Sequence, residues 1–154
     1  MLDTFITFHD VELLSSQPPI VVETFPVEGD SLFPSLEPIE MHFSRPMDTV
    51  SVLASVVFSP STNFEGYWYD NQTLILTPDS LLFETDYIIT IFDEAHDVYG
   101  HSMDGDQNGE SGGDFQLYFR TGPADMIPPE IVNTFPPNVA HNIEIFPIIN
   151  IQFD

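Results

Sequence analysis

Apolar and polar positions alternate along this chain in short runs, each too brief for a helix. In Ile39-Glu40-Met41-His42-Phe43 the apolar residues Ile39, Met41 and Phe43 share one face, the period of a half-buried strand, which leaves His42 facing outward. Tyr87, Ile89 and Ile91 do the same within Tyr87–Phe92, and Phe115, Leu117 and Phe119 within Phe115–Phe119. Ile20–Phe25, Val52–Phe58, Tyr67–Tyr69 and Thr73–Thr77 are read as further strands, with Asp70-Asn71 as a turn between the last two. Fourteen prolines and eight glycines break up the runs, and no segment holds a helical period over the ~10 residues a convincing helix needs. About seven short strands separated by turns predict an all-β fold, a two-sheet sandwich.

The pattern also repeats. Pro18-Pro19-Ile20-Val21-Val22-Glu23-Thr24-Phe25-Pro26 returns as Pro128-Pro129-Glu130-Ile131-Val132-Asn133-Thr134-Phe135-Pro136, 110 residues later. The same ungapped offset sets Ile39, Met41 and Phe43 against Ile149, Ile151 and Phe153. A weaker echo relates Asp3–Phe8 to Asp114–Phe119 at an offset of 111. A period of this size is that of one sandwich domain and too long for a solenoid repeat. The expected organisation is a complete domain at 18–123, flanked by two partial pieces. Residues 1–17 are read as the last strand of a preceding repeat or an N-terminal extension, and 124–154 as a linker with the first strands of a following, truncated repeat.

Leu81-x-Phe83-x-Thr85-x-Tyr87 opens a strand in the manner of a tyrosine corner, in which the ring enters the core and the hydroxyl bonds backbone a few residues upstream. Other stretches carry a family likeness: Phe43-Ser44-Arg45-Pro46-Met47-Asp48 with Val50 and Val52, then Thr73-Leu74-Ile75-Leu76-Thr77-Pro78 with Leu82 and Thr85-x-Tyr87, then Ala95-x-Asp97-x-x-Gly100, and Phe119-x-Thr121. Together they resemble bacterial Ig-like domains, the repeats of S-layer and other surface proteins. The resemblance spans Pro18 to about Pro123, and its opening motifs return from Pro128 to Asp154. It implies an Ig-like Greek-key sandwich serving as a surface or spacer module, with no shared catalytic residues to carry over.

Composition narrows the function classes. The 154 residues carry 25 acidic side chains against only Arg45 and Arg120, a formal charge of −23. Such a field repels nucleic-acid backbones and anionic membrane surfaces and favours cations. With 42% hydrophobic residues the chain is nevertheless globular rather than disordered in composition. Cysteine is absent, which excludes disulfides and thiol chemistry. No run approaches the ~20 apolar residues of a membrane helix, and Met1–Gln17 lacks the basic and apolar regions of a signal peptide. An extracellular or cell-surface location is expected, with any export signal outside this segment.

One stretch carries candidate chemistry. In Asp104-Gly105-Asp106-Gln107-Asn108-Gly109-Glu110-Ser111-Gly112-Gly113-Asp114, oxygen donors fall at alternate positions among glycines that allow a tightly wrapped loop. Asp104, Asp106 and Asn108 stand at the first, third and fifth positions of an EF-hand-type loop, and Gly109 stands at the sixth. Glu110 at the seventh would offer its carbonyl. The match then ends, because position twelve is Phe115 and the last acid, Asp114, comes one residue early. Asp104, Asp106, Asn108, Glu110 and Asp114 are therefore the expected ligands of a calcium ion in a loop between strands. Asp93 and Asp97 would join them if the loop folds back. The competing reading is a solvated acidic connector.

Three weaker signals complete the inventory. His96 and His101 flank Tyr99-Gly100, but two histidines without a third ligand at a defined spacing read better as turn residues than as a metal site. Tyr67 and Tyr69 face away from Trp68; if Trp68 is in the core, the tyrosines form an exposed strip able to stack on sugar rings, which makes surface glycans a candidate partner. No nucleophile elbow, phosphate loop or zinc-protease motif occurs, so no enzyme is expected. The expected partners are neighbouring Ig-like repeats, joined by the proline-bounded linker Gly122–Ile127, with self-association through the end strands as a further possibility.

Overall fold

Among the described residues, eight strands and one short helix build the first of two units, and the alternation seen in the sequence decides which side of each strand is buried. The structure, a computed structural model, describes residues 17–145 and 148–154, so the echo at Asp3–Phe8 and nearly all of the 1–17 segment lie outside the described residues. The strands are β1 (Val21–Phe25), β2 (Asp30–Phe33), β3 (Ile39–Phe43), β4 (Val56–Ser59), β5 (Phe64–Trp68), β6 (Thr73–Pro78), β7 (Asp86–Ile91) and β8 (Phe115–Thr121). One sheet runs β1-β3-β6-β5 and the other β2-β8-β7-β4. This is the strand distribution of an Ig-like sandwich, with β2 added parallel to β8 at the sheet edge.

Ile39, Met41 and Phe43 on β3, Leu74 and Leu76 on β6, Tyr87, Ile89 and Ile91 on β7, and Leu117 and Phe119 on β8 meet between the sheets. Each side chain taken from water there contributes roughly 1.5–3 kcal/mol, which is what drives the two faces together. Phe115 is only partly buried at the start of β8. Phe33 T-stacks on Phe119, with ring centres 5.1 Å apart, which carries the short strand β2 into the core.

Tyr87 is a tyrosine corner. Its ring is buried and stacks on Phe119, and its hydroxyl accepts the Leu82 N–H at 2.9 Å, five residues upstream. Thr121 closes the same corner from β8: its hydroxyl donates to the Leu82 carbonyl at 2.6 Å and accepts the Thr85 N–H at 2.9 Å.

The strand expected over Val52–Phe58 divides into a helix and a strand. Helix α1 occupies Thr49–Ala54, and only Val56–Ser59 is extended. The cause is Asp48, whose carboxylate accepts the backbone N–H groups of Val50 at 3.1 Å and Ser51 at 2.8 Å and so caps a helical turn that β-branched residues would not start alone. Val52 is buried beneath the turn, and Leu53 lies against Gly66 of β5, where a larger residue would collide with it.

The second unit runs from Ala124 to Asp154, and its described residues include β9 (Ile131–Phe135) and β10 (Asn150–Phe153), paired antiparallel. Its register repeats that of β1 with β3. Val21↔Phe43, Thr24↔Met41 and Phe25↔Glu40 in the first unit correspond, 110 residues on, to Ile131↔Phe153, Thr134↔Ile151 and Phe135↔Asn150. The irregularity between Val21 and Glu23 recurs between Ile131 and Asn133. Both Phe–Pro bonds that follow, Phe25-Pro26 and Phe135-Pro136, are cis.

Candidate functional site

The acidic loop connects β7 to β8 and is anchored at its base by backbone. Met103 is buried; the Asp104 N–H donates to the Pro19 carbonyl at 2.8 Å, and the Gly112 N–H donates to the Met103 carbonyl at 2.8 Å. The loop then wraps around one carboxylate. Asp104 is 2% exposed, and its two oxygens accept the N–H groups of Asn108 at 3.0 Å and Gly109 at 2.9 Å. Asp106 accepts the Asn108 side-chain amide at 3.0 Å, and Asn108 in turn accepts the Glu110 N–H at 2.8 Å.

The sharp turning this requires falls on Gln107, at φ +56°, and on Gly109, at φ +93°. Gly105 is needed for a different reason: a Cβ there would meet the backbone of Gly113, Asp114 and Phe115. The Gln107 side chain reaches the Val21 carbonyl at 3.1 Å and ties the loop to β1.

Of the expected ligands, the structure thus interlocks Asp104, Asp106 and Asn108. Glu110 joins through its backbone and its side chain is exposed. Asp114 turns the other way and accepts the Asp93 N–H at 3.1 Å. Among the described residues no three histidine, aspartate or glutamate side chains converge as a metal-binding group. Any cation held here would rest on the Asp104–Asp106–Asn108 turn and on backbone oxygens.

A second acidic centre is structural. Asp97 is 1% exposed and accepts the N–H groups of Tyr99 and His101, each at 2.9 Å, the His101 Nδ1 at 2.9 Å and the Arg45 guanidinium at 3.3 Å. Burial pushes its carboxyl up, but the hydrogen bonds from His101, Tyr99 and Arg45 outweigh that and hold it at about 2, below its ordinary 3.8. Asp97 therefore belongs to this network rather than to the acidic loop. His101 is an Asp97 partner, and His96 bonds the Glu94 carbonyl at 3.0 Å; the two are turn residues in this arrangement.

On β5, Trp68 packs against the core and stacks on Phe43 at 5.7 Å, while Tyr67 and Tyr69 are 61% and 72% exposed. The tyrosines thus stand outward and the tryptophan inward, the arrangement an exposed aromatic strip requires.

The bacterial Ig-like domain family matches residues 15–121, more than half of the chain. The chain belongs to that family. The Ig-like domain is similar in fold to an L,D-transpeptidase from Mycobacterium tuberculosis H37Rv (20% identity, TM-score 0.45, covering 68% of this chain and 41% of that one). It is similar also to CopC from Methylosinus trichosporium OB3b (14% identity, TM-score 0.48, covering 71% and 98%) and to domains 1–6 of the surface layer protein SbsC (12% identity, TM-score 0.49, covering 77% and 16%). The Ig-like chain thus spans less than half the length of the transpeptidase it matches. Among curated proteins none matches it.

Within the Ig-like domain, the stretch Phe43–Asp48 docks on the stretch Ala95–Gly100. The Asp48 N–H donates to the His96 carbonyl at 3.0 Å and the Val98 N–H to the Pro46 carbonyl at 3.2 Å, with the Arg45–Asp97 pair beside them. The sequence offered no local signal for that pair, because its members are 52 residues apart. Among the described residues no helix is long and apolar enough to cross a membrane.

Proposed function

We propose that this chain is a non-catalytic Ig-like spacer module of a repetitive extracellular or cell-surface protein, with calcium stiffening its acidic loop. The observation that supports the first part is the repeated register: β9 and β10 reproduce the pairing of β1 and β3 residue by residue, as expected of a repeat of one design. A spacer needs rigid units and short connections, and the stretch between Thr121 and Ile131 holds prolines at Pro123, Pro128 and Pro129 that limit its freedom. The partners are then neighbouring repeats.

The calcium part rests on the donor chemistry. A carboxylate has about four acceptor sites. Asp104 gives one on each oxygen to the wrapped backbone and keeps the others for a hard cation beside Asp106. Calcium accepts carboxylate, amide and backbone oxygens in irregular numbers, whereas magnesium demands a regular octahedron and keeps its waters. In a chain of charge −23 a bound dication also relieves repulsion. Melting with chelator, calcium and magnesium tests this part.

The exposed pair Tyr67 and Tyr69 favours one other reading, a sugar-binding accessory module. A glycan array decides it: binding that is lost in Tyr67→Ala supports the sugar module, and a blank array with the wild-type chain removes it.

A further inference from the structure

One seam between the two sheets of the Ig-like domain is open. Among the described strands β1 pairs with β3 alone, which leaves its other edge without a neighbour. After Phe25 the chain crosses to the other sheet as β2, and β2 meets β8 only at Asp30↔Phe119 and Phe33↔Thr121. The first part of β8, Phe115–Leu117, therefore has β7 on one side and no described strand on the other. Between that stretch and β1 lies a groove of about 520 Å³.

Alternation decides what the open edge of β8 offers. Tyr118 turns its main chain away from β7: its N–H donates to the Glu28 carboxylate at 3.0 Å, and its carbonyl accepts the Gly29 N–H at 2.7 Å. Bonded and non-bonded pairs alternate along an antiparallel ladder, so Gln116, two residues earlier, turns its N–H and C=O the same way. Among the described residues neither group meets a partner there. Elsewhere along the groove side chains stand in for the missing strand. Glu28 does so at Tyr118, and the Gln107 amide does so at the Val21 carbonyl, at 3.1 Å. A bare edge of this kind is a template for another extended chain.

The walls select the charge of that chain. Val22, 56% exposed, and the partly buried Phe115 offer apolar surface. The exposed carboxylates of Glu23, Glu28, Asp106 and Asp114 also line the groove, and neither arginine does. We infer that this groove receives an extended, lysine- or arginine-bearing peptide segment of a partner protein, added as a strand to β8 at Gln116. Its main chain pairs with the Gln116 N–H and C=O. Its apolar side chains lie on Val22 and Phe115, and the cationic ones that alternate with them meet the carboxylates. A second copy of this chain is the poorer occupant: Arg45 and Arg120 are far apart in sequence, and every other charged side chain is acidic, so its strands meet the groove with like charge. The inference requires neither the repeat reading nor bound calcium.

The test is amide exchange of the intact chain, followed by NMR. The probe is a capped heptapeptide of alternating lysine and valine, and its glutamate–valine counterpart is the control. In the free chain the Gln116 amide should exchange fast; slow exchange there overturns the inference, because the edge is then already filled. Saturating lysine peptide should slow that amide by at least about tenfold, since a strand hydrogen bond must first open, and the glutamate peptide should leave it unchanged. Glu23→Lys should weaken binding of the lysine peptide by at least about fivefold. Glu65→Lys, the same change of charge at an exposed position on β5, should leave it within about twofold. A lysine peptide that binds without slowing Gln116, or that is weakened equally by both variants, is held by net charge alone and overturns the inference. Absence of binding overturns it as well.

Discussion

Arg45 and Asp97 meet at 3.3 Å, joining two stretches of the Ig-like domain that lie on different loops. Arg45 is one of only two basic residues in the chain, and it stands beside a carboxylate that is buried and four times hydrogen-bonded. Removing one member of such a network leaves the rest buried without partners, which costs more than the network contributes net.

Asp97 gives a pH prediction with a definite sign. Its folded-state value of about 2 lies below its ordinary 3.8, so the folded chain favours the ionised form. The stabilisation is fully present above pH 3.8 and is lost as the pH falls toward 2. Urea unfolding of wild type and Asp97→Asn should differ by about 1–3 kcal/mol at pH 6. The gap should narrow as the pH is lowered from 4 to 2. A gap independent of pH would mean that the charge on Asp97 is not what the network reads.

Gly105→Ala should destabilise by about 1–3 kcal/mol, because the added methyl meets backbone that cannot rotate away. Gly109→Ala has free space around it but a φ of +93°, so its cost of about 1 kcal/mol is conformational only. Thermal melts of both variants check the order; an unchanged midpoint in Gly105→Ala would show that the loop is not packed as described.

Tyr87→Phe removes the acceptor of the Leu82 N–H while leaving the ring on Phe119. A loss of about 1 kcal/mol or more is expected, with native circular dichroism retained. Loss of the fold would show that the hydroxyl does more than close the corner.

The sequence made the sandwich legible where burial alternates on one strand, as in Ile39–Phe43 and Asp86–Ile91, and the tyrosine corner where its spacing is local. It misled at Val52–Phe58, because three valines and a phenylalanine suit a strand and the deciding cap, Asp48, lies before the run. It was silent on β2, whose four residues bury only Phe33 and pair parallel to a strand far along the chain. In the acidic loop the first-third-fifth spacing pointed to residues that do interlock. Asp114 departed from that set because the backbone N–H of Asp93, on the far side of the loop, claims its carboxylate. Asp97 was visible as an acid near the loop and within Ala95-x-Asp97-x-x-Gly100; that it pairs with Arg45 is a tertiary fact.

The most direct test of the calcium-stiffened module is a thermal melt of the intact chain with EDTA, with millimolar calcium and with millimolar magnesium. The account predicts a higher midpoint with calcium alone, amounting to about 2.7 kcal/mol if calcium stands at a hundred times its dissociation constant, and no such rise in the double variant Asp104→Ala/Asp106→Ala. Coincident melts in all three solutions would contradict it and leave the loop a solvated connector.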